Sequence, residues 1–131
     1  MNSSIKLSIV VVTRNAENEL PITLRSFMPF SNDSRLEFVF IDGASTDSSF
    51  DLIKEFHAIN ILRLSEFDNG IYHAMNKGLL RSQGKRVIFV NSGDEIIKKT
   101  FQQLVDNIEE TTDNSITQFD VLIVDEKNTW Y

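Results

Sequence analysis

Short apolar runs rich in Val, Ile and Phe recur at Leu7 to Val12, Glu37 to Ile41, Ile59 to Leu64, Arg86 to Val90 and Val121 to Val124, and their length and β-branched content predict five strands. Between them the apolar residues take helical spacing: Leu20, Leu24 and Phe27; Leu52, Ile53 and Phe56; Ile71, Met75 and Leu79; and Phe101, Leu104, Val105 and Ile108. Each set predicts a helix with those residues as its core face, and the last is the cleanest stripe. Asp47, Ser48 and Asp68 or Asn69 suit helix caps, Pro21 suits a first helical turn, and Gly84 follows the third helix. Strands without strict in-out alternation, each followed by a helix, predict an α/β fold with a mostly parallel sheet covered by helices on both faces. The polar stretch 109–115 reads as a loop, so residues 1–131 form a single domain.

In an open parallel sheet, ligands bind beyond the carboxyl ends of the strands. Polar residues collect there. Thr13, Arg14 and Asn15 follow the first strand, Asp42 through Asp47 the second, Glu66 to Gly70 the third, and Asn91 to Asp94 the fourth. Taken singly, Asn15, Ser45 and Asp47 are accounted for as caps. Jointly, carboxylates after three strands without matching basic residues point to a metal or ligand site.

Charge narrows the ligand. With 13 Lys and Arg against 19 Asp and Glu, the formal net charge is −6, which offers no basic field for nucleic acid or an anionic membrane. A phosphate-bearing ligand on such a protein calls for a divalent cation between carboxylates and phosphates. The absence of cysteine removes disulfides, thiolate metal sites and cysteine nucleophiles. The polar start, Met1 to Lys6, does not read as a signal peptide, and Ile9 to Val12 is too short for a transmembrane segment. The default compartment is the cytoplasm.

The segments Ser8-Ile-Val-Val-Val-Thr-Arg-Asn15 with Glu19 and Leu20, and Phe40-Ile-Asp-Gly-Ala-Ser-Thr-Asp47, resemble the opening of family-two glycosyltransferases. The stretches Ser65-Glu-Phe-Asp-Asn-Gly-Ile-Tyr-His-Ala-Met-Asn-Lys-Gly78 and Gly84-Lys-Arg-Val-Ile-Phe-Val-Asn-Ser-Gly-Asp94 are similar to members that build bacterial capsule, exopolysaccharide or lipopolysaccharide. The resemblance covers about three quarters of the chain, with its motifs in family order. It implies the Rossmann-like A-type glycosyltransferase (GT-A) fold, here truncated to an incomplete domain that holds a nucleoside-diphosphate sugar, UDP by family habit. It also implies inverting transfer to a glycan or lipid-linked acceptor, at the inner face of the membrane in a longer architecture.

By the same resemblance, Thr13, Arg14 and Asn15 match the loop that touches the nucleoside. Asp42, with Ser45 in the same run, matches the carboxylate that accepts a hydrogen bond from the base, a task suited to a pure acceptor. Asp68, Asn69 and Gly70, with Asn76, Lys77 and Gly78, match the segment lining the diphosphate and donor sugar. Packing is the alternative for Gly70 and Gly78, and a surface or capping role for His73. The family usually carries an Asp-x-Asp motif after the fourth strand, and here Asn91-Ser-Gly-Asp94 stands there. Ser92 replaces the first carboxylate, which leaves Asp94, with Glu95 beside it, to bind Mg²⁺ or Mn²⁺. A helix cap ahead of Glu95 and Ile96 is the alternative for Asp94.

Inverting transfer needs a general base. In the family it lies well downstream of the metal motif, and Asp125-Glu126 resembles a position near the donor instead. The base is therefore expected beyond Tyr131, leaving a chain that binds donor weakly and transfers little. Trp130 and Tyr131 are placed to pack on the sheet, on a missing segment, or on a second copy in a homodimer. The competing readings are a binding-only remnant, a sugar-nucleotide pyrophosphorylase and a receiver-like signalling domain. The second lacks its Gly-rich basic loop here, and the third its acidic pair after the first strand.

Overall fold

The computed structural model describes residues 5–108, together with the backbone of two short strands near the end of the chain. Four strands, β1 (Leu7–Thr13), β2 (Leu36–Asp42), β3 (Ile61–Ser65) and β4 (Arg86–Asn91), form one parallel sheet in the order β3-β2-β1-β4. The helices are α1 (Leu20–Phe27), followed by a 3-10 turn, then α2 (Ser49–Glu55), α3 (Ile71–Arg81) and α4 (Lys98–Asn107). All seven residues of β1 and of β2 are buried, which is why these strands read as continuous apolar runs. The described part of the predicted fifth strand, β5 (Ile123–Val124), stands in a separate sheet, paired antiparallel with β6 (Thr129–Trp130). Residues 109–115, Asp125, Glu126, Tyr131 and the side chain of Trp130 lie outside the described residues.

One face of the sheet carries the larger core. Leu7, Ile9 and Val11 of β1 and Phe38 and Phe40 of β2 pack with Leu20, Leu24 and Phe27 of α1, Ile53 of α2, and Phe101 and Val105 of α4. Phe27 and Phe30 meet Phe101 edge-on at 5.6 and 4.8 Å between ring centroids, which docks α4 on this face. The stripe predicted for α4 is thus the buried one.

The other face belongs to α3, and here the predicted core stripe is corrected. Ile71 and Leu79 are 46% and 49% exposed, while Ala74, Lys77 and Gly78 are the buried residues of the helix. Val10, Val12, Val39 and Ile41 receive Ala74, and a methyl group on Gly78 would collide with Val10. Small residues let the helix axis approach the sheet; of the predicted stripe Met75 packs half-buried against this core, and Ile71 and Leu79 are left flanking the contact. This close seat fixes the start of α3, and with it the loop between β3 and α3, against the carboxyl edge of the sheet.

Candidate functional site

The strand ends lie in register, with Thr13 beside Asp42, Val12 beside Asn91, and Asp42 beside Ser65. The loops leaving β1 and β2 are then tied to each other by hydrogen bonds. Gly43 N donates to Thr13 O at 2.9 Å, Asn15 N to Ser45 Oγ at 2.8 Å, Thr46 N to Asn15 Oδ1 at 2.8 Å and Ala16 N to Ser49 Oγ at 2.8 Å. Asn15 does this from φ 47, a left-handed conformation that Asn tolerates better than most residues. Asp47 accepts the N–H groups of Ser49 at 2.9 Å and Glu17 at 3.2 Å. The Ser49 hydroxyl, and after it these N–H groups, hold the Asp47 carboxyl below the ordinary aspartate value.

Asp42 is fully buried. Its Oδ1 accepts the Ser45 hydroxyl, and its Oδ2 accepts Ser45 N at 2.9 Å and the Ser65 hydroxyl at 2.6 Å. A carboxylate offers about four acceptor positions, and three are taken inside the protein. The partner that sequence reasoning missed is Ser65, whose only signal is that it ends the strand next to Asp42.

The loop between β3 and α3 is held along its length. Glu66 N donates to Asp42 O at 3.0 Å, Lys77 Nζ to Phe67 O at 2.6 Å, Asn69 N to His73 Nδ1 at 2.9 Å and Gly70 N to Asp68 Oδ1 at 3.0 Å. Lys77, buried on α3, also pairs with Glu66 at 3.0 Å. Its ammonium therefore holds this loop. His73 serves as a local cap. Gly70 has φ 115 with open space around its Cβ position, so the backbone angle rather than room calls for glycine there.

After β4 the chain turns through Asn91 to Asp94, with Asp94 N donating to Asn91 O at 3.0 Å and Gly93 at φ 102. Gly93 N donates to Thr23 Oγ1 at 2.8 Å, which anchors the turn on α1. Ser92 Oγ donates to Val12 O at 3.1 Å. Asp94 is exposed, and its Oδ2 accepts Asn91 N at 3.2 Å. The helix-cap alternative for Asp94 does not hold, because α4 begins only at Lys98 behind Ile97. Among the described residues no three acidic or histidine side chains converge, so a cation here would rest on Asp94, phosphate oxygens and water.

These elements enclose a cleft of about 250 Å³. Val12, Thr13, Arg14 and Ala16 form one wall, Asp68, Gly70 and Ile71 another, and Asn91 and Ser92 the third. Of the residues expected at a site, Thr13, Arg14, Asp68 and Ser92 come together here. Asn15 and Ser45 tie the loops, Asp42 and Lys77 support them, Asn69 neighbours the wall, Asn76 is exposed on α3, and Asp94 sits on the adjoining turn. Thr13 Oγ1 is buried with no hydrogen-bond partner, the single such side-chain atom among the described residues. The Arg14 guanidinium makes no ion pair among the described residues, and its side chain is exposed at the cleft. No helix among the described residues is long and apolar enough to cross a membrane.

Residues 8–131 match the family model described as Glycosyl transferase family 2. The uncharacterized glycosyltransferase YibD of Escherichia coli (strain K12) is 30% identical over 108 residues, which are 80% of this chain and 31% of that protein. The putative teichuronic acid biosynthesis glycosyltransferase TuaG of Bacillus subtilis (strain 168) is 28% identical over 124 residues, 91% of this chain and 48% of TuaG. S. aureus TarS 1-349 in complex with UDP superposes with a TM-score of 0.68 at 27% identity, over 81% of this chain and 32% of that one. Mannosyltransferase PcManGT from Pyrobaculum calidifontis, in complex with GDP-Man and Mn²⁺, shares the fold with a TM-score of 0.62 at 23% identity, over 76% of this chain and 31% of that one. The chain thus spans less than half the length of each of these proteins.

Proposed function

The chain belongs to glycosyl transferase family 2 and has the A-type fold, and from that premise we propose that it holds the nucleoside-diphosphate sugar for an inverting transferase. The acceptor is a glycan or lipid-linked sugar, and the setting is synthesis of a cell-surface polysaccharide, at the cytoplasmic face of the membrane. The observation that carries this reading is the cleft across the ends of β1 and β4, with the buried hydroxyl of Thr13 unpartnered in its wall. A buried polar atom without a partner is costly, and a ligand that bonds to it removes the cost. The likeness to TarS bound to UDP supports UDP as the carrier, and the name of TuaG supports the polysaccharide setting.

In such a transfer the acceptor oxygen bonds to the anomeric carbon while the bond to the diphosphate oxygen breaks. The electron pair leaves with the diphosphate, and the hydroxyl proton passes to a general base. Thr13 and Arg14 hold the nucleoside side of the donor, and the turn Asn91 to Asp94 faces its diphosphate. Asp94 fits a hydrated Mg²⁺ or Mn²⁺, because it is open to solvent and Asn91 N–H engages only one of its oxygens. Ser92, with its hydroxyl committed to Val12 O, adds no second strong ligand. When bound, the cation neutralises charge on the leaving diphosphate.

Calorimetry of the chain with UDP, GDP and their sugars, with and without Mn²⁺, tests this. The expected result is weak nucleotide binding that Mn²⁺ strengthens in the native chain and not in Asp94→Asn. No binding of any of these ligands would overturn the donor-site reading. A Mn²⁺ effect that survives Asp94→Asn would remove the metal assignment alone.

A further inference from the structure

We propose that His73 is a proton-sensitive positioning residue for the donor cleft: its neutral ring holds the loop between β3 and α3 through Asn69 N–H, and protonation of the ring releases that loop and weakens the donor. This rests on the cleft being the donor site.

The two halves of this loop are held differently. Glu66 N–H goes to Asp42 O and the buried Lys77 ammonium to Phe67 O, so the first half is fastened both to the sheet and to the helix. In the second half, Asp68 and Gly70, with Ile71 at the start of α3, form a wall of the cleft. Gly70 N–H turns back to Asp68 Oδ1 within the loop itself. The bond by which a side chain of α3 reaches this half is Asn69 N–H to His73 Nδ1, at 2.9 Å. Gly70, at φ 115 and with open space around its Cβ position, is the joint about which the wall turns when that bond is lost.

An imidazole accepts only through a nitrogen that carries no proton. Accepting Asn69 N–H at Nδ1 therefore requires the neutral ring, with its proton on Nε2. The charged ring has two donors and no acceptor, so its Nδ1–H would point at Asn69 N–H. It would also place positive charge in the first turn of α3, where the helix dipole is itself positive. Both effects oppose the tie. The titratable and charged side chains of the elements that meet here are Glu66 and Asp68 in the loop, Tyr72 and Lys77 on α3, and Arg14 and Asp42 at the ends of β1 and β2. Glu66 is paired with Lys77 at 3.0 Å, Asp42 is enclosed by its own donors, and Arg14 borders Gly43 together with Asp68. Among the described residues none of the six forms an ion pair with the imidazole. Glu66 and Asp68 favour a charged ring through space, yet such a ring leaves Asn69 N–H without its acceptor all the same. The ring is exposed, so a proton reaches it without any movement of the fold, and imidazole is the side chain suited to change charge between about pH 5 and 8.

Two measurements on the chain test this. In nuclear magnetic resonance spectra without ligand, the Asn69 amide signal is expected to shift along the same pH curve as the His73 ring protons. It is expected to stay in place over that range in His73→Asn, whose side-chain oxygen stands close to the place of Nδ1 and accepts at every pH. An Asn69 amide that ignores the ring would overturn the tie, whatever the cleft binds. In calorimetry with UDP and Mn²⁺, the native chain is expected to lose about 3- to 10-fold in affinity relative to His73→Asn between about pH 8 and about pH 5.5, the worth of one hydrogen bond. Taking the ratio of the two chains cancels the titration of the UDP phosphate and of Asp94, which both share. His73→Ala, with no acceptor, is expected to bind weakly relative to His73→Asn at both pH values. A ratio that does not change with pH, or one that favours the native chain at the lower pH, would overturn the positioning role while leaving the donor site standing. Failure of the native chain to bind UDP at either pH would overturn the donor site and the positioning role with it.

Discussion

Replacing Gly78 by alanine adds one methyl group where α3 lies closest to the sheet. The new Cβ would overlap Val10 Cγ1 and come within 3.2 Å of Val10 Cγ2 and 3.3 Å of Ile41 Cγ1. Val10 and Ile41 are both 0% exposed and sit in the two central strands. Their branched side chains have little χ1 freedom with which to yield. Two terms oppose each other. Alanine is better than glycine in a helix interior by about 1 kcal/mol, and overpacking a core costs about 1–3 kcal/mol. The collision with Val10 is a full overlap rather than a tight contact, so the upper part of that range applies and the net loss is about 1–2 kcal/mol. At roughly 4 °C per kcal/mol for a domain of this size, Tm falls by about 4–8 °C.

Thermal unfolding followed by far-UV circular dichroism measures this. Combining Gly78→Ala with Val10→Ala, which removes both opposing methyls, is expected to cost less than the sum of the two single changes, a coupling that neighbours show and distant sites do not. A Tm for Gly78→Ala equal to or above that of the native chain would refute the close seat of α3. Strict additivity in the double variant would refute Val10 as the obstacle. Because Gly70 and Ile71 at the start of α3 line the cleft, the same variant is expected to bind UDP more weakly.

Thr13→Val removes the unpartnered hydroxyl at constant shape. It is expected to leave Tm unchanged or raise it by a few degrees while weakening UDP by about 1 kcal/mol, and a loss of stability would count against the hydroxyl being free. Lys77→Met keeps the buried stem and drops the ammonium from Phe67 O and Glu66. UDP affinity should fall several-fold in calorimetry, and a variant indistinguishable from native would show that the loop needs no such tie. Asp42→Ala strands the Ser45 N–H and the Ser65 hydroxyl, at a cost of about 3 kcal/mol in urea unfolding. Acid sensitivity has a defined sign. The Arg35 guanidinium holds Asp33, and the Ser49 hydroxyl holds Asp47, below the ordinary value of 3.8. Their stabilisation is complete above that value and is lost as pH falls through the lower folded values, so Tm should begin to drop below about pH 4. Asp33→Asn should flatten part of that drop.

The parts of the fold legible in the sequence are those in which large apolar residues do the packing. β1 and β2 are buried on both faces and read as unbroken runs, and α4 shows its Phe101 and Val105 stripe because those rings and branches enter the core. The contact face of α3 is hidden in the sequence for the complementary reason. Hydrophobic spacing picks out Ile71, Met75 and Leu79, of which Met75 alone packs on the sheet, while the close approach runs through Ala74 and Gly78, which carry almost no hydrophobic signal. At the site, chain order sufficed to bring the four polar segments to one edge of the sheet. It did not show that Lys77 turns to Phe67 O, or that Ser65 closes on Asp42, since both partners are set by tertiary register. The cap reading of Asp94 drew on local residue type alone, whereas the turn at Gly93 takes up that carboxylate before any helix begins.

Carboxylates after three strands, in a chain of net charge −6, look from the sequence like one acidic cluster awaiting one cation. Their surroundings divide them. Asp42 is hydrogen-bonded by hydroxyl and amide donors, and with no exposed surface it does not face a hydrated ion. Asp68 sits in a nearly dry wall with Oδ1 on Gly70 N, too confined for a metal with its waters. Of these three aspartates Asp94 alone is exposed, and a hard cation that keeps most of its hydration shell asks for little more. Burial therefore separates their tasks. Asp42 supports the loops from within, and Asp94, at the far side of β1, is the one placed to anchor the cation. A reduced metal motif is compatible with this arrangement, because the diphosphate and water supply the ligands that Ser92 does not.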